Sequence, residues 1–287
     1  MPTTYAHWRF GCDCIDVLPE DLKNVINNNR ELFDIGVHGP DIFFYDLPHP
    51  EEFKFGANLH CQPGRDFFEK CIEVYKSYDD EKEAMLAYIL GFLSHYALDS
   101  QCHGYINTKD AKTPGIGHNK IEAEYDSHLI KLDSRNVNRT DRSISLKPDK
   151  HAAKVIARFF PYDEEVMLRT TKGQRLIIPM LNARSDLKRS VLDRMLRLAK
   201  KPEYADLLVY PEEHPECRDS NMRIDKLRAN ALPVYKELAE NLYKAIKGEE
   251  ELEDYFDLIF DPVSSEDIPI LSPDEEVNYI PDTVREK

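Results

Sequence analysis

The sequence predicts an all-α fold, a single domain of helices packed side by side. Three observations predict it. Strand signals are scarce: the best are DIFFYDL at 41–47 and RLIIPML at 175–181, and both are short and touch proline. Apolar residues instead recur at helical spacing along most of the 287 residues. Hydrophobic residues make up 41% of the chain, ample for a packed core. No internal repeat is present.

The elements follow in order. Residues 19–36, PEDLKNVINNNRELFDIG, read as one or two helices ending at Gly36. Residues 64–78 carry Phe67, Phe68, Cys71, Ile72 and Tyr75 on one helical face. Residues 79–106 open with Asp79, Asp80 and Glu81 and close near Gly104, the polarity a helix dipole favours. Residues 117–132, GHNKIEAEYDSHLIKL, form another helix, and later helices fit 149–159, 163–171, 184–200 and 224–247. Residues 138–149 read as a loop.

Charge divides the chain into 1–248 and 249–287. The net charge is −15, but residues 249–287 hold 14 acids against 2 bases, which leaves 39 acids against 36 bases in the rest. The body is therefore close to neutral. The acidic stretch carries prolines at 262, 269, 273 and 281, and the expectation is a solubilising C-terminal tail, extended or poorly ordered beyond about residue 262. MPTTYAHWRF has no basic start, apolar stretch or small-residue cleavage site, and no segment approaches the ~20 apolar residues that cross a bilayer. A cytoplasmic location is expected, with Cys12, Cys14, Cys61, Cys71, Cys102 and Cys217 reduced and mostly buried.

The run AMLAYILGFLS at 84–94 looks like a buried helix, yet it continues into HYALDSQCHGY. Polar groups on a core-facing helix are costly unless each finds a partner. Eight of the ten histidines fall within the first 128 residues: His7, His38, His49, His60, His95, His103, His118 and His128. His95 and Asp99 are four apart and share a helix face, and His103 continues it one turn on. His118 and Glu122 repeat the spacing on the next helix, with Asp126 beyond. One such pair is ordinarily a simple side-chain contact. Two pairs plus His103 within 28 residues, on apolar-faced helices, point to bound cations. Imidazole with carboxylate suits zinc, with an open position for water where the site is catalytic.

Four segments, YAHWRFG (5–11), GVHGPDIFFY (36–45), LGFLSHYALDSQCH (90–103) and HNKIEAEYD (118–126), together resemble the bacterial zinc-dependent phospholipases C. Those enzymes share a fold with single-strand-specific fungal nucleases. The resemblance implies an all-α bundle holding zinc in a cleft, and hydrolysis of a phospholipid phosphate ester by metal-activated water. It implies one ion held by Asp41, His60, His95 and Asp99, a second by His103, His118 and Glu122, and a third by His7 sharing Asp99. His60 is preferred to His49, which stands between Pro48 and Pro50. In secreted members the trimmed N-terminal residue binds the third zinc, whereas here six residues precede His7. Two or three zinc ions are accordingly expected.

Asp41 is read as ligand and as proton acceptor for the attacking water. Asp126 is either an outer carboxylate orienting a ligand histidine or an exposed helix acid. The basic residues of 184–201 read first as a solvated helix face, and otherwise as a surface for an anionic lipid or a nucleic-acid backbone; a transient membrane-surface contact is the partner expected. Two alternatives stay open. One is a nuclease or nucleotidase on the same scaffold, although no aromatic stacking platform with a basic groove stands out and nucleic acid is not the expected partner. The other is a non-catalytic, metal-stabilised binding protein.

Overall fold

The computed structural model describes residues 4–46 and 48–284. Among them are thirteen α-helices, three short 3-10 helices and no strand. In order these are α1 (Thr4–Val17), α2 (Glu20–Asn28), α3 (Arg30–Gly36), the 3-10 segment Gly39–Tyr45, α4 (Pro50–His60), α5 (Gly64–Ser77), α6 (Lys82–Lys112), α7 (His118–Leu132), α8 (Lys150–Ala157), α9 (Glu164–Leu181), α10 (Asp186–Leu198), α11 (Pro202–Ala205), α12 (Arg218–Lys247) and α13 (Pro273–Glu276). The other two 3-10 turns are Pro215–Cys217 and Asp254–Asp257.

α6 is the axis. It packs against α1, α2, α3, α5, α7, α8 and α12 and is buried on nearly every side. A helix so placed has no use for a polar face, which is why its apolar residues run continuously through 84–93. Its closest neighbour is α3. Gly36 and Gly91 face each other there, and a β-carbon on either would strike backbone of the opposite helix, at Tyr88 or Phe33. Later helices begin where side chains cap them: Asp149 accepts from Ala152 N at 2.7 Å, Asp163 from Glu165 N and Val166 N at 3.0 Å, and Ser185 from Lys188 N at 3.3 Å.

Both strand signals are helical in the structure. Asp41–Tyr45 belong to the 3-10 segment, and Leu47 lies outside the described residues. Residues 175–181 complete α9, because their apolar side chains divide by helical spacing. Ile178 and Leu181 turn inward, while Leu176 and Met180 face solvent. α1 and α4 are two further helices that the sequence reading does not place.

Residues 249–284 are mostly non-helical, as their prolines require, but they do not stand away from the bundle. Phe256 and Phe260 are fully buried in the main core. The Tyr96 hydroxyl donates to the carbonyls of Tyr255 (2.7 Å) and Leu258 (2.9 Å). Glu276 forms a buried ion pair with Arg223 of α12, at 2.5 and 3.1 Å. Gln101 exchanges two hydrogen bonds with the backbone of Val284, at 2.8 and 3.0 Å. Aromatic residues among the acids supply the apolar area that seats the segment, so the loose end expected beyond residue 262 is instead pinned. All six cysteines are free thiols, and no helix among the described residues is long and apolar enough to cross a membrane.

Candidate metal centre

The inward face of α6 carries His95, Asp99 and His103 at i, i+4 and i+8, all at most 3% exposed. Asp99 is the hub. Its Oδ2 lies 2.8 Å from His95 Nε2 and 3.9 Å from His60 Nε2. Its Oδ1 lies 3.2 Å from His7 Nε2 and 3.6 Å from His103 Nε2.

Four other elements deliver the remaining groups. α1 brings His7, whose ring stacks on His95 with centroids 4.1 Å apart. The 3-10 segment brings Asp41, with Oδ1 3.1 Å from His60 Nε2 and Oδ2 4.0 Å from His95 Nδ1. Gly39 opens that segment at φ +50°, and a β-carbon there would collide with the His95 ring. His60 ends α4, and its Nδ1 donates to Gly56 O at 2.7 Å, which leaves Nε2 to face inward. His49 stands at the opposite end of α4, half exposed, with Nδ1 2.7 Å from Asp46. From α7, Glu122 Oε1 lies 3.1 Å from His118 Nε2 and 3.2 Å from His103 Nε2. All eight residues singled out from the sequence thus come together, while His49 and His128 do not.

They fall into three sets whose donor atoms lie within 4.8 Å of one another and could hold a metal ion: His7–His95–Asp99, Asp41–His60–His95 and His103–His118–Glu122. His95 belongs to two of them. The orphaned atoms test whether a cation fits. His60 Nε2, both nitrogens of His95, both oxygens of Asp41, Asp99 Oδ2, His118 Nε2 and Glu122 Oε2 are buried without a hydrogen-bond partner. A buried polar atom left so is costly and calls for an explanation. These atoms are close but misaligned for hydrogen bonds, because they converge on shared points rather than on each other. A cavity of about 20 Å³ lies among His7, Asp99, Cys102, His103 and Glu122, about the volume that one small ion or water needs.

The electrostatics agree. Burial would raise the Asp99 carboxyl, yet His103, His95 and His7 outweigh it and hold the group well below its usual range. Asp41 is likewise lowered, with burial overcome by His95 and His60. Burial lowers His103, but Asp99, Asp261 and Glu122 carry it well above the usual histidine value. The acids stay anionic in a dry interior, the condition a cation relieves. His118, with 18% of its side chain exposed, is the most open of the eight and marks the side on which the centre meets solvent. Beside its helical turn lies a pocket of about 510 Å³ lined in part by Gly117, Lys120, Arg197 and Tyr210.

Four more residues belong here. Asp126 touches no ligand ring. Its carboxylate accepts from Tyr5 N (3.3 Å) and Ala6 N (2.9 Å), capping the helix that carries His7, and Arg142 Nη1 lies 3.0 Å away. Both earlier readings of Asp126 thus give way to a buried helix cap, which the i, i+4 pattern signalled without revealing its target. His38 is fully buried with both nitrogens unpartnered, and burial, reinforced by His7, pushes it down to about 3. Asp261 Oδ1 lies 3.0 Å from His103 Nδ1, and Asn107 Oδ1 lies 2.7 Å from His118 Nδ1. Of these last three, only His38 had a sequence signal, as one of the N-terminal cluster of histidines.

The family model for zinc-dependent phospholipase C matches residues 6–161. No curated protein and no solved structure matches. The matched span contains every residue of the three sets and ends before α9.

Proposed function

This chain belongs to the zinc-dependent phospholipase C family, and on that premise we propose that it hydrolyses the phosphate ester of a phospholipid. The observation that supports this best is the convergence of buried, orphaned imidazole and carboxylate atoms around Asp99. In this reading Asp41, His60, His95 and Asp99 hold one zinc, and His103, His118 and Glu122 hold a second. His7, sharing Asp99, serves a third. Met1 lies outside the described residues. Bound zinc supplies Lewis acidity, bringing the pKa of water from ~15.7 toward ~7 and offsetting phosphate charge.

The chain's own groups manage the proton. Asp41 is anionic, reaches the centre with both oxygens unpartnered, and takes the proton of the attacking water. The water oxygen bonds to phosphorus as the phosphorus–oxygen bond to diacylglycerol breaks, the leaving oxygen takes a proton from solvent water, and Asp41 returns its proton to solvent. Asp41→Asn is expected to lower kcat by ~10²–10³-fold while leaving the helical fold intact. Circular dichroism and a choline-phosphate ester assay check both halves, and parental turnover would remove Asp41 from the role. The reading as a whole is tested by elemental analysis of the zinc-reconstituted protein beside parallel assays on phospholipid and single-stranded DNA. Two or three zinc per chain with lipid hydrolysis is expected. Cleavage of DNA alone would move the chain to the nuclease reading, and bound zinc without any hydrolysis would make it a binding protein.

A lipid substrate also requires a way onto the bilayer. α10 exposes Leu187, Val191, Met195 and Leu198 along one side, between 48% and 77% accessible, while Leu192 and Leu196 pack inward toward Leu207 and Leu208. Lys188, Arg194 and Lys200 are exposed on the same stretch. Apolar residues flanked by bases suit an anionic lipid interface. The double substitution L187E/M195E is expected to weaken sedimentation with phosphatidylserine-containing vesicles by about tenfold or more. Hydrolysis of a soluble short-chain substrate should be unchanged, and undiminished sedimentation would exclude α10 as the contact.

A further inference from the structure

We propose that Asp261, from the acidic segment beyond the family-matched region, is a positioning residue that fixes two of the metal-binding histidines. The inference rests on the reading of His103, His118 and Glu122 as a zinc site. Each of those histidines aims Nε2 at Glu122 Oε1, at 3.2 and 3.1 Å. A neutral imidazole offers a lone pair at Nε2 only when its proton sits on Nδ1, and what lies beside Nδ1 decides that. For His103 the neighbouring acceptor is Asp261 Oδ1, 3.0 Å away but off the line of a hydrogen bond, which a small turn of the ring would complete. For His118 it is Asn107 Oδ1, at 2.7 Å.

Asn107 could present either its oxygen or its nitrogen to His118. Asp261 and the Pro262 carbonyl beside it settle the choice. The Asn107 amide nitrogen donates to Asp261 Oδ1 at 2.6 Å and to Pro262 O at 2.9 Å, which turns its oxygen toward His118. One carboxylate therefore governs both rings, His103 directly and His118 through Asn107. The ring, amide and acid form a continuous outer layer behind the proposed ion.

The backbone around Asp261 is built to hold it there. Asp261 N donates to the carbonyl of His60 at 3.0 Å, and Gly64 N donates to Leu258 O at 3.0 Å. Phe260 is fully buried, with its ring 4.7 Å from Tyr96, 5.9 Å from Phe92 and 6.4 Å from His95, centroid to centroid. Arg65 ties the segment from outside through Asp257 and the carbonyls of Leu252 and Glu253. The acidic segment is thus a strap that carries a carboxylate to the centre, and a chain ending before residue 255 would lack part of its zinc site.

The test is zinc affinity, measured by competition with a chromophoric chelator on the full chain. Asp261→Ala is expected to bind one zinc per chain 10–100-fold more weakly than the parent. Asp261→Asn, which keeps an acceptor in place, should recover most of that loss. Asp257→Ala, which alters the strap's outer anchor but not the centre, should bind as the parent does. The d–d absorption of cobalt-substituted protein should shift for Asp261→Ala and not for Asp257→Ala. Parental affinity in Asp261→Ala would overturn the proposal, and equal losses in both alanine variants would assign the effect to seating of the strap and overturn it equally. A parent chain that binds no zinc at all would instead overturn the underlying zinc-site reading, a different result from any of these.

Discussion

Replacing Asp99 by alanine is expected to abolish phosphoester hydrolysis and to remove at least one zinc per chain. No other side chain in the centre meets as many partners. Its two oxygens face His7, His60, His95 and His103, at 3.2, 3.9, 2.8 and 3.6 Å. In the proposed assignment it serves the first ion and is shared with the third, so its loss leaves one incomplete and the other without its carboxylate. Loss of several kcal/mol of charge stabilisation in the transition state corresponds to about 10³-fold or more in rate. Asp99→Asn retains the shape but not the charge, and it should lie much closer to the alanine variant than to the parent. Asp110, an exposed acid near the end of the same helix, is the control, and Asp110→Asn should be indistinguishable from the parent. Near-parental activity and zinc content in Asp99→Ala would mean that the histidines around it serve some other purpose.

Why Asp99 was visible in the sequence and Asp261 was not is a matter of chain distance. His95, Asp99 and His103 lie on one helix, and His118 and Glu122 on the next, so a rule of fours was enough to align them. Asp41, His60 and His7 come from three further elements, each contributing a single residue with no local period. They emerged only through the resemblance of whole motifs. Asp261 sits 158 positions after His103 in a stretch whose composition reads as solvent-facing. Nothing in DLIFDP marks that acid apart from its neighbours, because its role depends on Phe256 and Phe260 being buried. Asp126 shows the converse. It fell on the right helical face, yet its partner is the start of α1, so spacing found the residue and misjudged its role. The helices followed the same logic. Those with a clear apolar period were evident, whereas α1, interrupted by Gly11 and Asp13, and α4, only 11 residues long, gave a weaker signal.

Stripping zinc with a chelator is expected to lower the melting temperature by roughly 15 °C while leaving the chain helical at 25 °C. Two parts of the molecule set these opposing expectations. At the centre, Asp41, Asp99 and Glu122 are buried acids, and nearby histidines offset part of their charge without metal. Each zinc held at about 1,000 times its Kd stabilises the native state by ~4 kcal/mol, so two add ~8 kcal/mol. For a chain of this size 1 kcal/mol moves Tm by about 2 °C. Away from the centre, the aromatic stack of Phe67 on Phe92 (4.1 Å), the Tyr88–Phe159 pair (5.4 Å) and the tight α3–α6 contact need no metal. Those contacts hold α6 in place, so the apo chain keeps its helices and rebinds zinc without refolding. Far-ultraviolet circular dichroism and thermal melts of the stripped and reconstituted protein check both statements. If the stripped chain is unfolded at 25 °C, the metals are needed to form the fold itself, and the centre would then act first as a structural staple.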